Sequence, residues 1–201
     1  MSNNINIGRL LRSNITGCVI GCRVGQQSEF EFGSMIQIPL NDQSDTILYG
    51  IIYDMHIDDD GLVKQLVAAE NVSEEVILDN RLNRNVPIEI SVLYIGYETN
   101  SQISHLLPPK PPLVLDAIKK CEQNEIVKFT EIGRFGYFRH ILAVENAPVE
   151  EVIAAHLKHA DLCHKQVGNS HWLQEATQEL IILLRDDYST LMRVLSALSD
   201  I

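Results

Sequence analysis

The chain has 201 residues, 45% hydrophobic and 21% charged, enough for one large domain or two small ones around a substantial core. Its formal charge is −11, with 6 basic against 14 acidic residues in 1–105 and 10 against 13 in 106–201, which argues against a large phosphate-binding face. No apolar run reaches the ~18–20 residues of a membrane span, Met1–Asn6 lacks the regions of a signal peptide, and Cys18, Cys22, Cys121 and Cys163 are too scattered for a disulfide framework, so a cytoplasmic protein with reduced thiols is expected.

The first half alternates like a β-protein. Short strand candidates are Ile5–Leu11, Gly17–Val24 and Phe32–Leu40, with Asn41–Asp45 as a loop. From Thr46 to Asp58, Ile47, Tyr49, Ile51, Tyr53, Met55 and Ile57 share one parity, and Leu48, Gly50 and Ile52 lie between them. A strand that long suits one bending round a barrel, with Gly50 as the bend or bulge. Asp58-Asp59-Asp60-Gly61 reads as a hairpin turn; it lacks the alternating ligands and terminal Glu of a calcium loop. Leu66–Asn80 is ambiguous between a helix and a loop with a short strand. In Val86–Tyr97 the parity of Val86, Ile88, Ile90, Val92 and Tyr94 is apolar, while the other is polar until it turns apolar at Leu93 and Ile95. Five or six uneven strands with Gly- and Asp-containing turns predict a small closed barrel.

Leu106–Pro112 holds four prolines in seven residues and is the clearest boundary, because prolines continue neither a ladder nor a helix. Leu113–Glu122 is a short helix candidate, and Phe129–Val144 has room for a strand. From Asn146 the chain is helical: Asn146 can cap, Pro148 suits the first turn, and Glu150 and Glu151 suit the positive end of the macrodipole. Val149, Val152, Ile153, His156, Leu157, Ala160 and Cys163 form one face, and Gly168 ends the helix. A second helix from Ser170 to Arg185 places Leu173, Ala176, Leu180, Leu183 and Leu184 inward, and a third starts near Asp187 with Tyr188, Leu191, Val194, Leu195 and Leu198 on one face. The predicted class is therefore α+β: a closed β-barrel over 1–106, a proline-rich linker and mixed segment over 107–145, and C-terminal helices over 146–201.

Chemistry is sparse in this sequence. No phosphate-binding loop or dinucleotide fingerprint occurs, so neither ATP hydrolysis nor tight ATP binding is expected. His156, His159 and Cys163 fall within about 60° on one helical face, which with a fourth ligand would suit zinc. Their spacing matches no standard zinc motif, and the same face carries Val152, Ile153 and Leu157, so His156 and Cys163 read more simply as core or boundary residues. Cys18 and Cys22, four apart in a strand, stand about 13 Å from each other and form neither a redox pair nor a chelate. Glu131, Arg134, Arg139 and His140 bring acid, base and cation within ten residues, but proximity in sequence is not geometry, and no catalytic site is assigned. No cofactor is expected, and no small molecule is indicated.

Four stretches resemble the HAS-barrel, the small β-barrel at the N-terminus of HerA-type DNA-translocating ATPases and of the F-type ATP synthase α and β subunits. Ile7-Gly8-Arg9-Leu10-Leu11 resembles its opening strand, Phe32-Gly33-Ser34-Met35-Ile36 its glycine before a strand, and Leu48–Tyr53 the strand that follows. Leu107–Pro112, with Leu115-Asp116, resembles the proline-rich exit from the barrel. The resemblance covers about residues 4–116, and the RecA-like ATPase domain that follows in those proteins is missing, so no catalytic residue is carried over. What it implies is the barrel's role, subunit contact in a ring or docking of a partner; in HerA-type ATPases that partner is the NurA nuclease.

The expected function is a non-enzymatic interaction or assembly module that docks to itself or to an ATPase or nuclease complex of DNA processing. The alternative is an accessory that binds nucleic acid directly through a local patch such as Lys119, Lys120 and Lys128. Self-association is motivated further by Leu180–Leu184, five consecutive apolar residues that make their helix apolar on nearly all sides.

Overall fold

A computed structural model describes residues 7–40, 45–59, 61–83 and 86–199. Ile5 and Asn6 of the first predicted strand, Asn41–Ser44 of the predicted loop, and Asp60 lie outside the described residues.

Seven strands form one sheet: β1 (Gly8–Ser13), β2 (Gly17–Cys22), β3 (Met35–Pro39), β4 (Thr46–His56), β5 (Ile88–Thr99), β6 (Gln102–Ser104) and β7 (Ala117–Lys120). Their order is β2-β1-β7-β3-β4-β5-β6, and β2 also pairs with β5, so six strands close into a barrel while β6 extends β5 as a hairpin. All pairings are antiparallel. Closure leaves β1 to β5 and β7 without a free edge, which is the usual benefit of a barrel.

The barrel interior is filled by Leu10, Ile20, Ile36, Ile38, Leu48, Ile52, Ile90, Val92, Tyr94 and Ile118, with Cys18 and Cys22 among them. Burial pushes the Cys18 thiol up to about 12 and the Cys22 thiol up to about 11, so both remain protonated packing groups. On β4 the pairing slips between Tyr49 and Gly50 and again between Ile52 and Asp54. The second slip moves the side chains across the sheet: Tyr49 and Ile51 pack outward under the helices, whereas Met55, of the same parity, packs against the interior. Gly50 faces Val92 so closely that a Cβ would lie 2.4 Å from its Cγ1.

The closing strand corrects one expectation. Leu113–Glu122 is not a helix; it contains β7, which pairs with β1 and β3. The proline segment therefore lies between β6 and β7, within the order of the strands. It is held to β1 by Leu115 N–H donating to the Leu10 carbonyl and by Ser13 Oγ donating to the Pro112 carbonyl, 2.7 Å away. Asp58–Gly61 does not join two strands as a hairpin turn; it precedes α1 (Leu62–Ala68), which is followed by α2 (Glu74–Leu82). Neither helix buries a residue, which resolves the ambiguous 66–80 segment as a helical excursion between β4 and β5.

Phe129–Val144 holds no strand. It follows from α3 (Gln123–Glu131) through a short 3-10 turn, Gly133–Phe135, into α4 (Phe138–Leu142). Phe129, Tyr137, Phe138 and Ile141 are β-favouring residue types, but here they are buried against the barrel wall, and that packing outweighs local preference. The three C-terminal helices are α5 (Val149–Gln166), α6 (Trp172–Leu183) and α7 (Tyr188–Leu198). Pro148, rather than Asn146, occupies the N-cap of α5, Glu150 and Glu151 lie in its first turn, and Gly168 at φ +91° follows its end. Their apolar faces share one core with Met35, Tyr49, Ile51, Leu93 and Ile95 of the barrel's outer surface.

Gly33, just before β3, is where barrel and helix touch. Its φ is +80°, and a Cβ there would lie 2.5 Å from the Ala155 Cβ. Among the described residues no helix is long and apolar enough to cross a membrane.

Candidate functional site

The three metal candidates point to different partners. His156 is fully buried, its Nε2 3.0 Å from the Tyr137 hydroxyl, and burial pushes it down to about 3, far below an ordinary imidazole. His159 is half-buried, with Nδ1 3.6 Å from the Glu31 carboxylate. Cys163 is half-buried, and burial raises its thiol. Among the described residues no three His, Cys, Asp or Glu side chains are grouped to hold a metal ion.

The acid–base quartet is split between two places. Arg139 and His140 both donate to the His105 carbonyl, pinning the start of the proline segment against α4; the His140 bond is 2.8 Å. Glu131 and Arg134 lie elsewhere, in a groove described below. The basic patch is also divided, because Lys128 Nζ lies 2.6 Å from Glu98, a buried carboxylate that accepts from the Tyr49 hydroxyl as well. Its charge is matched within the protein, and among the described residues Lys119 and Lys120 on β7 form no ion pair.

The most site-like feature is a groove of about 430 Å³ between the 130–135 segment and α6. One wall comes from Thr130, Glu131, Gly133, Arg134 and Phe135; the other is a stripe of α6 containing Trp172, Glu175, Glu179 and Ile182. Those four residues are spaced i, i+3, i+7 and i+10, which keeps them within about 80° of arc. The first wall is an unusual turn: Gly133, Arg134 and Phe135 have φ values of +69°, +47° and +58°. It is fixed by contacts on both sides. Phe135 stacks on Phe138 at 5.3 Å and approaches Trp172 at 5.6 Å, while a Cβ on Gly133 would meet His105 Nδ1 at 2.9 Å.

Behind the groove lies a buried stack. His164 lies parallel to the Trp172 ring at 4.5 Å, and its Nε2 is 2.8 Å from the Thr130 hydroxyl. Burial lowers its proton affinity; Glu131, Asp161 and Glu175 pull the other way without overcoming that. The indole Nε1 of Trp172 and the Nδ1 of His164 are buried with no hydrogen-bond partner among the described residues.

The apolar run at the end of α6 is only partly covered among the described residues. Ile181, Ile182 and Leu183 are 42%, 55% and 45% exposed, so Leu183, expected inward, faces out while Leu180 and Leu184 are buried. On α7, Tyr188 is 71% exposed and Met192 is exposed too, although Val194 is buried. Ile182 belongs to both features, since it edges the groove and lies within the exposed run.

The groove escaped the sequence reading because its two walls are far apart in the chain and one depends on three successive left-handed residues. The available signal was the stripe from Trp172 to Ile182, which mixes one aromatic, two carboxylates and one aliphatic residue on a face that a simple surface helix would leave polar. No known protein family matches the chain, and no curated protein is significantly similar to it.

Proposed function

We propose that this protein is a non-enzymatic interaction module: a HAS-like barrel that carries a helical surface for assembly, either with itself or with an ATPase or nuclease complex of DNA processing. The observation that carries the reading is the exposure of Ile181, Ile182 and Leu183 at the end of α6. Burying one such side chain is worth about 1.5–3 kcal/mol, so a few of them can sustain an interface. The barrel part of the reading rests on the closed six-stranded topology and on the placement of Gly33 before β3, as in the resemblance. The matching of Lys128 by Glu98 weighs against direct nucleic-acid binding through that patch.

The test compares the chain with an Ile181→Asp/Leu183→Asp variant by sedimentation equilibrium and by affinity capture from extracts of the source cells. The wild type should exceed the mass of one chain or capture a stoichiometric partner, and the variant should do neither. A monomeric wild type that captures nothing, or a variant indistinguishable from it, refutes the reading.

A further inference from the structure

We infer that the outer face of α2, in the excursion between β4 and β5, is a docking surface for an amphipathic segment of a partner protein, apolar along one side and carrying lysines or arginines beside it. This goes beyond the interaction-module reading, because the surface is separate from Ile181–Leu183.

The excursion contributes nothing to the core. Its helices α1 and α2 have 7 and 9 residues, and neither buries a residue. Helices that short are marginal on their own in water, and most helical stability comes from packing an apolar face on something else. Here the apolar side chains are left in solvent: Val67 on α1 is 81% exposed, and Leu78 and Leu82 on α2 are 56% and 57% exposed. Leu78 and Leu82 stand at i and i+4, about 40° apart, so they form one stripe along α2. Leucines at that spacing are the anchors with which an amphipathic helix engages a partner.

Charge then selects what lies on the stripe. Glu74, Glu75 and Asp79 flank it, each within about 60° of one of the leucines. None of the three makes an ion pair among the described residues. Glu74 and Glu75 suit the positive end of the helix dipole, but Asp79 lies beyond that turn, where it repels Glu75 at i and i+4. Its recorded partner is uncharged, the Asn83 Nδ2, which donates to it at 2.7 Å. Arg81 is the one cation of α2, and Lys64 on α1 is already paired with Asp59 at 3.0 Å. Over residues 57–87 the sequence has seven acidic side chains against three basic ones. An apolar stripe with carboxylate margins complements apolar side chains flanked by Lys or Arg. A second copy presenting the same face would set like charges against each other, and phosphates of nucleic acid or anionic lipid are repelled.

The full-length protein is used to select from a displayed library of random dodecapeptides, and recovered peptides are synthesised with a dye and titrated by fluorescence anisotropy. Recovered sequences should combine apolar residues with at least two Lys or Arg and bind more weakly as salt rises. Amide exchange should slow over residues 74–82 when peptide is added. Leu78→Ala/Leu82→Ala should lose about tenfold or more in affinity while its thermal melt stays unchanged, because α2 buries nothing. Glu75→Gln/Asp79→Asn should weaken binding and flatten its salt dependence. Recovery of neutral or acidic peptides only, no recovery, protection confined to other elements, or equal affinity for the leucine variant overturns the proposal. Self-association of the protein alone that the leucine variant abolishes also overturns it, by assigning the face to a second copy. The Ile181→Asp/Leu183→Asp variant should bind these peptides as the wild type does, so failure here and failure of the interaction reading are told apart.

Discussion

Gly33 carries two constraints at once, a left-handed backbone and a Cβ-free approach to α5. Gly33→Ala meets both, so it should destabilise by about 2 kcal/mol or more, read as a lower urea midpoint at unchanged slope. The buried histidines impose a pH dependence of definite sign. His156 is held at about 3 against an ordinary value of 6.5, so between those values the unfolded chain binds a proton that the folded protein does not. Stability from this group is complete above about 6.5 and falls as pH drops towards 3. His105, His140 and His164 are also lowered, chiefly by burial, and act in the same direction. Urea midpoints measured from pH 7.5 to pH 4 should therefore fall, and His156→Gln, which can still bond Tyr137 but does not titrate, should fall less steeply. A flat profile in the wild type would contradict the burial of these rings.

The elements differ sharply in how much they owe to the core. Leu180 on α6 is fully buried beside Ala176 and Trp172, so Leu180→Ala should cost about 2–5 kcal/mol. Leu78 on α2 is 56% exposed in a helix that buries nothing, so Leu78→Ala should stay within about 0.5 kcal/mol. Thermal melts of the two variants separate these outcomes. The same difference explains what could be read from the sequence. The alternation of β4 and β5 is plain because each has a closed interior on one side, and the change at Leu93 and Ile95 marks where the helices begin to cover the outer face of β5. The C-terminal helices are legible from their periodic apolar positions, although the consecutive run Leu180–Leu184 hides which of its residues face inward, and Leu183 faces out. By contrast, β7 is four residues long and follows prolines, and its strand state comes from pairing with β1 and β3, partners distant in the chain. The groove residues were equally hidden, since Glu131 and Arg134 line one groove with Glu175 and Glu179 only after α3 and α6 have both packed on α5.

At the scale of the molecule, barrel and helices depend on each other through two features. The first is closure: β1 and β3 are not paired with each other, and only β7, beyond the proline segment, joins them. The second is the shared core, in which Met35, Tyr49, Ile51, Leu93 and Ile95 of the barrel wall pack with Phe129, Phe138, Ile153 and Leu157. A fragment ending at residue 106 would lack β7, open the barrel along both neighbouring strands, and expose that outer apolar face to water. Unpaired strand edges and uncovered apolar surface are together the conditions for association rather than folding. Fragment 1–106 should therefore give a collapsed proton NMR spectrum or aggregate, although every residue of β1 to β6 is present. Fragment 1–122 restores closure but leaves the outer face bare, so it should recover strand signal by circular dichroism while remaining prone to associate. A dispersed, monomeric spectrum from fragment 1–106 would show that closure by β7 is dispensable and that the barrel's stability lies in its interior alone.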